Sequence, residues 1–393
     1  MLDVDSHAAV VAGLLRPTPV VSLPLAGCAG LALAADLTSP IPLPPFDNSA
    51  MDGYAVRAAD VAAVPVTLPV TEDIPAGRRD RPTLTPGTAH RIMTGAPLPP
   101  GADAVVQVEH TDGGESSVTV SVPVTPRQNV RYVGEDVTAG SVVLPAGATL
   151  GAAQLGVAAA VGHAELAVRA RPRVLVLSTG SELVAPGEPL AFGQIHESNS
   201  TMLAAAVDAA GGTATVVHFV ADDVDAFHAA LAPRLAGVDL VLTSGGVSAG
   251  AYEVVKDALT AHGVTFVKVA MNPGMPQGAG VYRGVPVVTL PGNPVSALVS
   301  FEVFVRPALR AAAGHSATHR PRVPAVLTAD ATSPAGKRQF RRAHLAPDGT
   351  VALVGGPGSH LLASFAAADA LAVLPEDVTS APAGTTVTTW LLT

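Results

Sequence analysis

Cysteine is almost missing from this chain. Its 393 residues include one, Cys28, which excludes an internal disulfide framework and a thiolate metal cluster. Cys28 lies in the apolar run LAGCAGLALA and is expected to be a small buried hydrophobe rather than a nucleophile. Charge is scarce too. Only 14% of residues are charged, and the net charge is -9. The chain therefore lacks the basic face that duplex DNA requires, and nucleic acid is not an expected partner. That balance leaves room for a local basic pocket holding a small anion. No run of eighteen apolar residues occurs, so no membrane span is expected. The start, MLDVDSHAAV, is acidic and lacks the basic segment that opens a secretory signal. A soluble cytoplasmic protein is the expectation.

What is abundant is hydrophobic residues (48%), with 38 glycines and 35 prolines. That mixture implies packed cores joined by many turns and short strands. The length implies about two to four domains. Ser6 is a plausible N-cap for a first helix carrying Val10, Val11, Leu14 and Leu15. A second short helix is expected over Gly27 to Ala35, followed by a proline-enforced extended connector. From Val64 to Val124, short alternating segments such as SVTVSVPV read as a small β domain. Residues 172–310 alternate between continuous apolar strands and amphipathic helices, among them Ser198 to Ala210 (capped by Asn199 or Ser200), Val224 to Leu235 and Tyr252 to His262. This pattern predicts a parallel sheet covered on both faces, with ligands bound beyond the carboxyl ends of its strands. After His315 the pattern is again β, consistent with a barrel-like or open sheet.

Each strand of the α/β region opens into a polar, glycine-containing loop. The loops are STGSEL (Ser178 to Leu183), TSGGVSAGAYEVVK (Thr243 to Lys256), NPGMPQGAG (Asn272 to Gly280) and LPGNPVSAL (Leu290 to Leu298). Backbone amides and small hydroxyls gathered on one rim suit a phosphorylated ligand. In the last loop, two prolines fix the turn, Gly292 permits close approach, and free N–H groups at the following helix start are expected to attract an oxyanion. No loop fits a Walker A pattern, and no G-x-G-x-x-G follows the first strand, so a P-loop or standard dinucleotide site is disfavoured. Glu182, Glu253, Asp222 and Asp223 also lie in these loops. A hard cation such as Mg2+ takes one or two carboxylates plus ligand phosphates. Asp222 and Asp223 also read as caps of the helix that follows them.

These loops, together with PFDNSAMDGYA (Pro45 to Ala55), IMTGAPLPPGADAVV (Ile92 to Val106) and GEDV (Gly134 to Val137), closely resemble molybdopterin molybdenumtransferase, the MoeA family related to the E domain of gephyrin. The resemblance runs from about residue 6 to the end. It implies a multidomain α/β plus β protein. A central doubly wound α/β (MogA-like) domain, 172–315, would bind molybdopterin. A small β domain, 46–125, would be inserted in an N-terminal helical and extended region, 1–45 with 126–171. A barrel-like β domain, 316–393, would close the chain. It also implies a homodimer that inserts molybdate into adenylylated molybdopterin with Mg2+-dependent release of AMP, and a molybdopterin adenylyltransferase as a further partner.

Residue by residue, the resemblance places Ser178, Thr179, Gly180 and Ser181 of the first loop against the substrate. Ser244, Gly245, Gly246 and Ser248 do the same in the second loop, Pro291, Gly292, Asn293 and Pro294 in the last, and Thr94 and Gly95 in the TGAP segment. Glu253 stands where the family usually has aspartate in GGVSxGxxD, and Glu182 matches the loop glutamate. Both are expected to hold Mg2+ and, with Asp52, to carry catalysis, Asp52 reaching the partner's site. Asn272 and Met275 stand where many relatives have the lysines of KPGKP. Lys256, Lys268 and the KRQFRR cluster of Lys337, Arg338, Arg341 and Arg342 are the cations expected to compensate, with Arg338 and Arg341 against the substrate. Two other readings keep the fold. One is a paralogue inserting tungstate or using a modified pterin, and the other is a non-catalytic pterin-binding scaffold.

Overall fold

The runs RVLVLST, LVLTS and VPVVTL are apolar without alternation, as strands buried on both faces must be. In the computed structural model, which describes residues 1–219, 223–246 and 254–392, they lie at the centre of a six-stranded sheet. Its order is Thr213–Phe219, Arg173–Thr179, Leu240–Ser244, Val285–Leu290, Pro276–Tyr282 and Val264–Lys268. The first four strands run parallel. Pro276–Tyr282 runs antiparallel to both its neighbours, so Val264–Lys268 has the same direction as the first four; the one reversed strand corrects the all-parallel expectation. Much of the segment expected to be a loop, Asn272 to Gly280, is strand Pro276–Tyr282. Its glycines mislead because they look like turn residues. A Cβ on Gly278 would collide with the Thr289 hydroxyl, and one on Gly280 with the Gly263 carbonyl. They are glycines because neighbouring strands crowd them.

The chain divides into two units, residues 1–35, 146–151 and 166–393 in the first and 36–145 and 152–165 in the second. In the first unit, one sheet face buries Val174, Val176, Leu242 and Val288 against helices Val4–Leu14, Asn199–Ala209 and Pro294–Ser300. The other face buries Leu175, Leu177 and Val241 with Phe227 and Leu231 of helix Val224–Leu231 and Leu259 of helix Val254–Thr260. Each such fully buried leucine contributes about 2 kcal/mol through water released from its surface.

Helix starts differ from the sequence expectation in instructive ways. The first helix is capped by Asp3, whose Oδ1 accepts from the Ser6 N–H at 2.7 Å. Ser6 instead donates its hydroxyl to the same carboxylate. Helix Asn199–Ala209 has Ser198 at its N-cap, but the Glu197 carboxylate takes the Ser200 N–H at 2.7 Å, so neither Asn199 nor Ser200 caps it. Asp223 does cap its helix, accepting from Ala226 N at 2.7 Å. Asp222 lies outside the described residues. The helix expected over Gly27 to Ala35 is absent. Only a single 3-10 turn, Leu25–Gly27, forms, and Ala32 and Leu33 bridge in extended form to Thr149 and Val168.

Within the π-turn Phe301–Val305, Glu302 accepts a two-pronged ion pair from Arg320, at 2.9 and 3.0 Å. The C-terminal strands then form a closed barrel. The ring runs Arg338–Leu345, Thr350–Leu353, Arg322–Leu327, Thr386–Leu391 and Ala370–Leu374, which returns to Arg338–Leu345. Strand Met271–Asn272 joins it in parallel beside Arg338 and Gln339. The second unit contains a five-stranded sheet of Ala104–Gln107, Gly53–Val56, Ala89–Ile92, Val66–Ile74 and Ser117–Val120, with Tyr54, Val106 and Val118 in its core. Among the described residues, no helix is long and apolar enough to cross a membrane.

Two imidazoles lie in the core of the first unit. His7 packs edge-on against Phe304, with centroids 4.7 Å apart, and His315 Nδ1 meets the Thr149 hydroxyl at 2.8 Å. Burial lowers the pKa of each from 6.5 to about 4, helped at His315 by the guanidiniums of Arg310, Arg171 and Arg306. Between pH 6.5 and 4 the unfolded chain takes up protons that the folded chain refuses. Stability therefore falls as pH drops through that window, by up to about 1.4 kcal/mol per pH unit for each histidine. Urea titrations at several pH values should show that slope, and His7→Leu should make it shallower. An unchanged slope would remove His7 from the account.

Candidate functional site

The sheet register builds the site. Ser178 lies opposite Ser244, and Ser244 opposite Leu290. Three strands therefore end at one level and release their loops side by side. Those loops form one wall of a cleft of about 1270 Å3, contained within the first unit. This wall includes Ser178, Thr179, Gly180, Glu182, Ser244, Gly245, Gly246 and the turn Pro291 to Pro294. The barrel supplies the facing wall, with Ser333, Lys337, Gln339 and the loop Pro357 to His360, while Asn272 to Pro276 forms a lip.

Close backbone approach shapes the first wall. Gly245 has φ 93, and a Cβ there would come within 2.8 Å of the Thr179 carbonyl, so only glycine lets these two loops pack. Asn199 fastens the wall from behind. Its Nδ2 donates to the Gly292 carbonyl and to Ser244 Oγ, both at 2.7 Å. Its Oδ1 is buried and has no partner among the described residues, and the same holds for Ser178 Oγ on this wall and for Ser333 Oγ and Gln339 Oε1 on the barrel side. Buried polar atoms are seldom left this way, and these four along the cleft fit a polar ligand.

The helix start after the last loop is only partly open to an oxyanion. Pro294 has no N–H, and Val295 N donates to Ser359 O at 3.1 Å. Asn293 Nδ2 also donates to Ser359 Oγ at 3.0 Å. The expectation of free amides there is thus corrected for Val295, whose N–H the barrel loop takes. What remains for a ligand on this wall is hydroxyls, loop amides and the Gly292 surface.

Among the described residues, Lys337 is the only lysine or arginine lining the cleft. Of the carboxylates, Glu197 is buried and occupied by Ser200, whereas Glu182 is exposed and folds back over Gly180, within 2.5 Å of where a Cβ there would sit. Among the described residues there is no group of three or more His, Cys, Asp or Glu able to hold a metal. One free carboxylate beside hydroxyls does not suit zinc, which takes three or four protein ligands. It does fit Mg2+, which completes its shell with substrate phosphates and water.

Comparison with known proteins gives the same picture along the whole chain. Residues 2–162 match the model for the MoeA N-terminal region (domain I and II), 175–311 the probable molybdopterin binding domain, and 324–392 the MoeA C-terminal region (domain IV). Molybdopterin molybdenumtransferase 2 of Mycobacterium tuberculosis is 56% identical over 405 aligned positions, covering 100% of both chains. The chain belongs to the MoeA family. A molybdopterin molybdenumtransferase of Haemophilus influenzae is 36% identical, covering 99% of this chain and 98% of its own. A crystal structure of a molybdopterin biosynthesis MoeA protein from Pyrococcus horikoshii matches with a TM-score of 0.85 and 29% identity, covering 100% of each chain.

Against that family pattern, the structure brings Glu182 and Asn293 onto the same cleft. Ser248 and Glu253 lie outside the described residues. Ser181 is exposed beside the lining residues and is not one of them. Lys256 sits on helix Val254–Thr260, and Lys268 is exposed at the end of its strand; neither lines the cleft. Arg338 does not line it either. Strand alternation sends Lys337 and Gln339 to the cleft and Arg338 to the opposite side. There Arg338 pairs with Asp5 and Glu376, each at 2.9 Å, beside a second cavity of about 470 Å3. Arg341 reaches the Gly355 carbonyl at 3.4 Å and is likewise not a lining residue. Asp52, Thr94 and Gly95 belong to the second unit. There Asp52 Oδ1 accepts from Thr94 N at 2.6 Å and from its hydroxyl at 2.8 Å, which lowers the Asp52 pKa.

Sequence reasoning missed Asn199, Gln339, Ser333 and Ser359. The only available signal for Asn199 was its place just after a strand-end loop, where it reads as a cap. Asn199→Ala should loosen the Gly292 turn, lowering stability by about 1–2 kcal/mol and weakening molybdopterin binding about tenfold. Denaturant midpoints and equilibrium binding check this, and wild-type affinity would show that the tie does not shape the cleft.

Proposed function

We propose that the chain is a molybdopterin molybdenumtransferase, inserting molybdate into adenylylated molybdopterin and releasing AMP. The observation that carries this reading is a single cleft with amides, hydroxyls, one lysine and one free carboxylate converging from three strand-end loops and the barrel. Its family membership supplies the substrate class.

Each group present has a task in that reaction. The loop amides and hydroxyls around Ser178, Thr179, Gly245 and Gly246 accommodate the phosphate oxygens of the substrate. Lys337, across the cleft, faces the anionic side of the substrate and steadies the charge that develops as a phosphorus–oxygen bond breaks and AMP departs. Cleavage replaces that bond with one to an incoming oxygen of molybdate or water. Glu182, together with Glu253 from the family motif, would hold Mg2+, which supplies charge neutralisation at the pyrophosphate when bound. The two-walled cleft holds the pterin end near the oxyanion while excluding bulk water.

In this proposal the active form is a homodimer, in which Asp52 and the Thr94–Gly95 turn serve the partner's cleft, and an adenylyltransferase supplies the substrate. A second reading is favoured by Asn272 and Met275, which leave the lip without a cation. A paralogue specialised for tungstate would show faster tungstate than molybdate insertion in paired assays.

Glu182→Gln and Glu253→Gln each remove a negative charge at nearly constant shape. AMP release with Mg2+ should fall at least about 100-fold in each. Wild-type rates in both would refute the metal-holding roles, and a wild-type protein that binds the substrate without releasing AMP would favour the scaffold reading.

A further inference from the structure

The last arginine of KRQFRR has a partner set that solvated basic runs lack. Arg342 lies on the barrel strand Arg338–Leu345 and is 4% exposed. Its Nη1 donates to the Gly358 carbonyl at 3.1 Å and its Nη2 to the Gly356 carbonyl. Its own carbonyl accepts from Val354 N at 2.8 Å. Among the described residues it forms no ion pair, since the acidic partners in the barrel go to other cations. A buried guanidinium answered only by carbonyl dipoles is costly to keep unless its geometry is used.

That geometry is a fork spanning two carbonyls two residues apart. The segment it grips, Gly355 to Gly358, forms neither helix nor strand. The next residue, Ser359, then makes both bonds to the opposite wall, accepting from Val295 N and from Asn293 Nδ2. The chain of contacts therefore runs from Arg342 through the glycine loop to the LPGNP turn, which Asn199 holds from the other side.

We propose that Arg342 is a positioning residue. It clamps the 355–358 loop so that Ser359 caps the helix Pro294–Ser300 and fixes Asn293, and in doing so it sets how well the cleft receives its substrate. This rests on the reading of the cleft as the substrate site. Arg342 itself is not among the residues lining the cleft. A lysine cannot replace it, because one ammonium on a flexible stem does not present the planar two-pronged donor.

The test uses the full chain as wild type, Arg342→Lys, Arg342→Ala and Ser359→Ala, with two readouts. Hydrogen exchange follows the Val295 amide, with Val287 and Val288 in the sheet as internal references. Steady-state AMP release gives KM and kcat for adenylylated molybdopterin. In Arg342→Lys, Val295 exchange should quicken at least about tenfold while the references hold. KM should rise about tenfold, with kcat within about threefold. Ser359→Ala leaves the barrel and the clamp intact but removes the Asn293 tether. It should raise KM in the same direction by a smaller factor, and less than multiplicatively when combined with Arg342→Lys. Guanidinium ion at millimolar concentration should recover part of the lost Val295 protection in Arg342→Ala. Unchanged Val295 exchange in Arg342→Lys, or fully multiplicative KM effects, would overturn the clamp. Failure of Arg342→Lys to fold moves the decision to Ser359→Ala, where an unchanged KM overturns it. Quickened Val295 exchange in a protein that releases no AMP keeps the clamp and defeats the functional reading instead.

Discussion

The alignment of parallel hydrogen-bond ladders is the constraint on which the site depends. Arg173–Thr179, Leu240–Ser244 and Val285–Leu290 stay in step because both their faces are buried. A one-residue slip would exchange the two faces and mismatch every apolar contact on both sides. Since the ladders cannot slip, Ser178, Ser244 and Leu290 end at one level, and the loops that follow share one rim. Gly245 then lets adjacent loops touch, and Asn199 ties Ser244 to Gly292 across them.

The second wall is held by different means. Strand Met271–Asn272 leaves the α/β region and adds to the barrel beside Arg338 and Gln339, so the lip and barrel are joined by backbone bonds. Glu302 pairs with Arg320 and with Arg306 and so fastens the connector between helix and barrel; its removal would leave both guanidiniums without their carboxylate. Ser359 takes the Val295 N–H at the start of helix Pro294–Ser300. The resulting cleft relies on neutral donors, with Lys337 its one cation among the described residues. Neutral dipoles can bind anions without bringing further like charges together.

How far the sequence could be read depends on the range of the interaction concerned. The loops STGSEL, TSGGVSAG and LPGNPVSAL announced a rim because strand, turn and helix start are all local signals. Glu182 and Asn293 could be named from them. Asn199 could not, because its partners, Ser244 and Gly292, are 45 and 93 residues away. Arg338 read like a substrate cation because KRQFRR carries no mark of which side chains face inward. Pro276–Tyr282 read as loop because glycines needed for strand crowding are indistinguishable, one residue at a time, from glycines needed for turns.

By itself, then, the sequence determined the continuous apolar strands, their polar ends, the family motifs and the low charge, all of which are carried by neighbouring residues. Only the tertiary structure decided that Pro276–Tyr282 runs against its neighbours, that the barrel closes, that Lys337 rather than Arg338 faces the cleft, and that Ser359 takes the Val295 amide at the helix start. Those outcomes depend on which distant segments meet, and that choice is made by shape and burial over the whole core rather than by any short run of side chains.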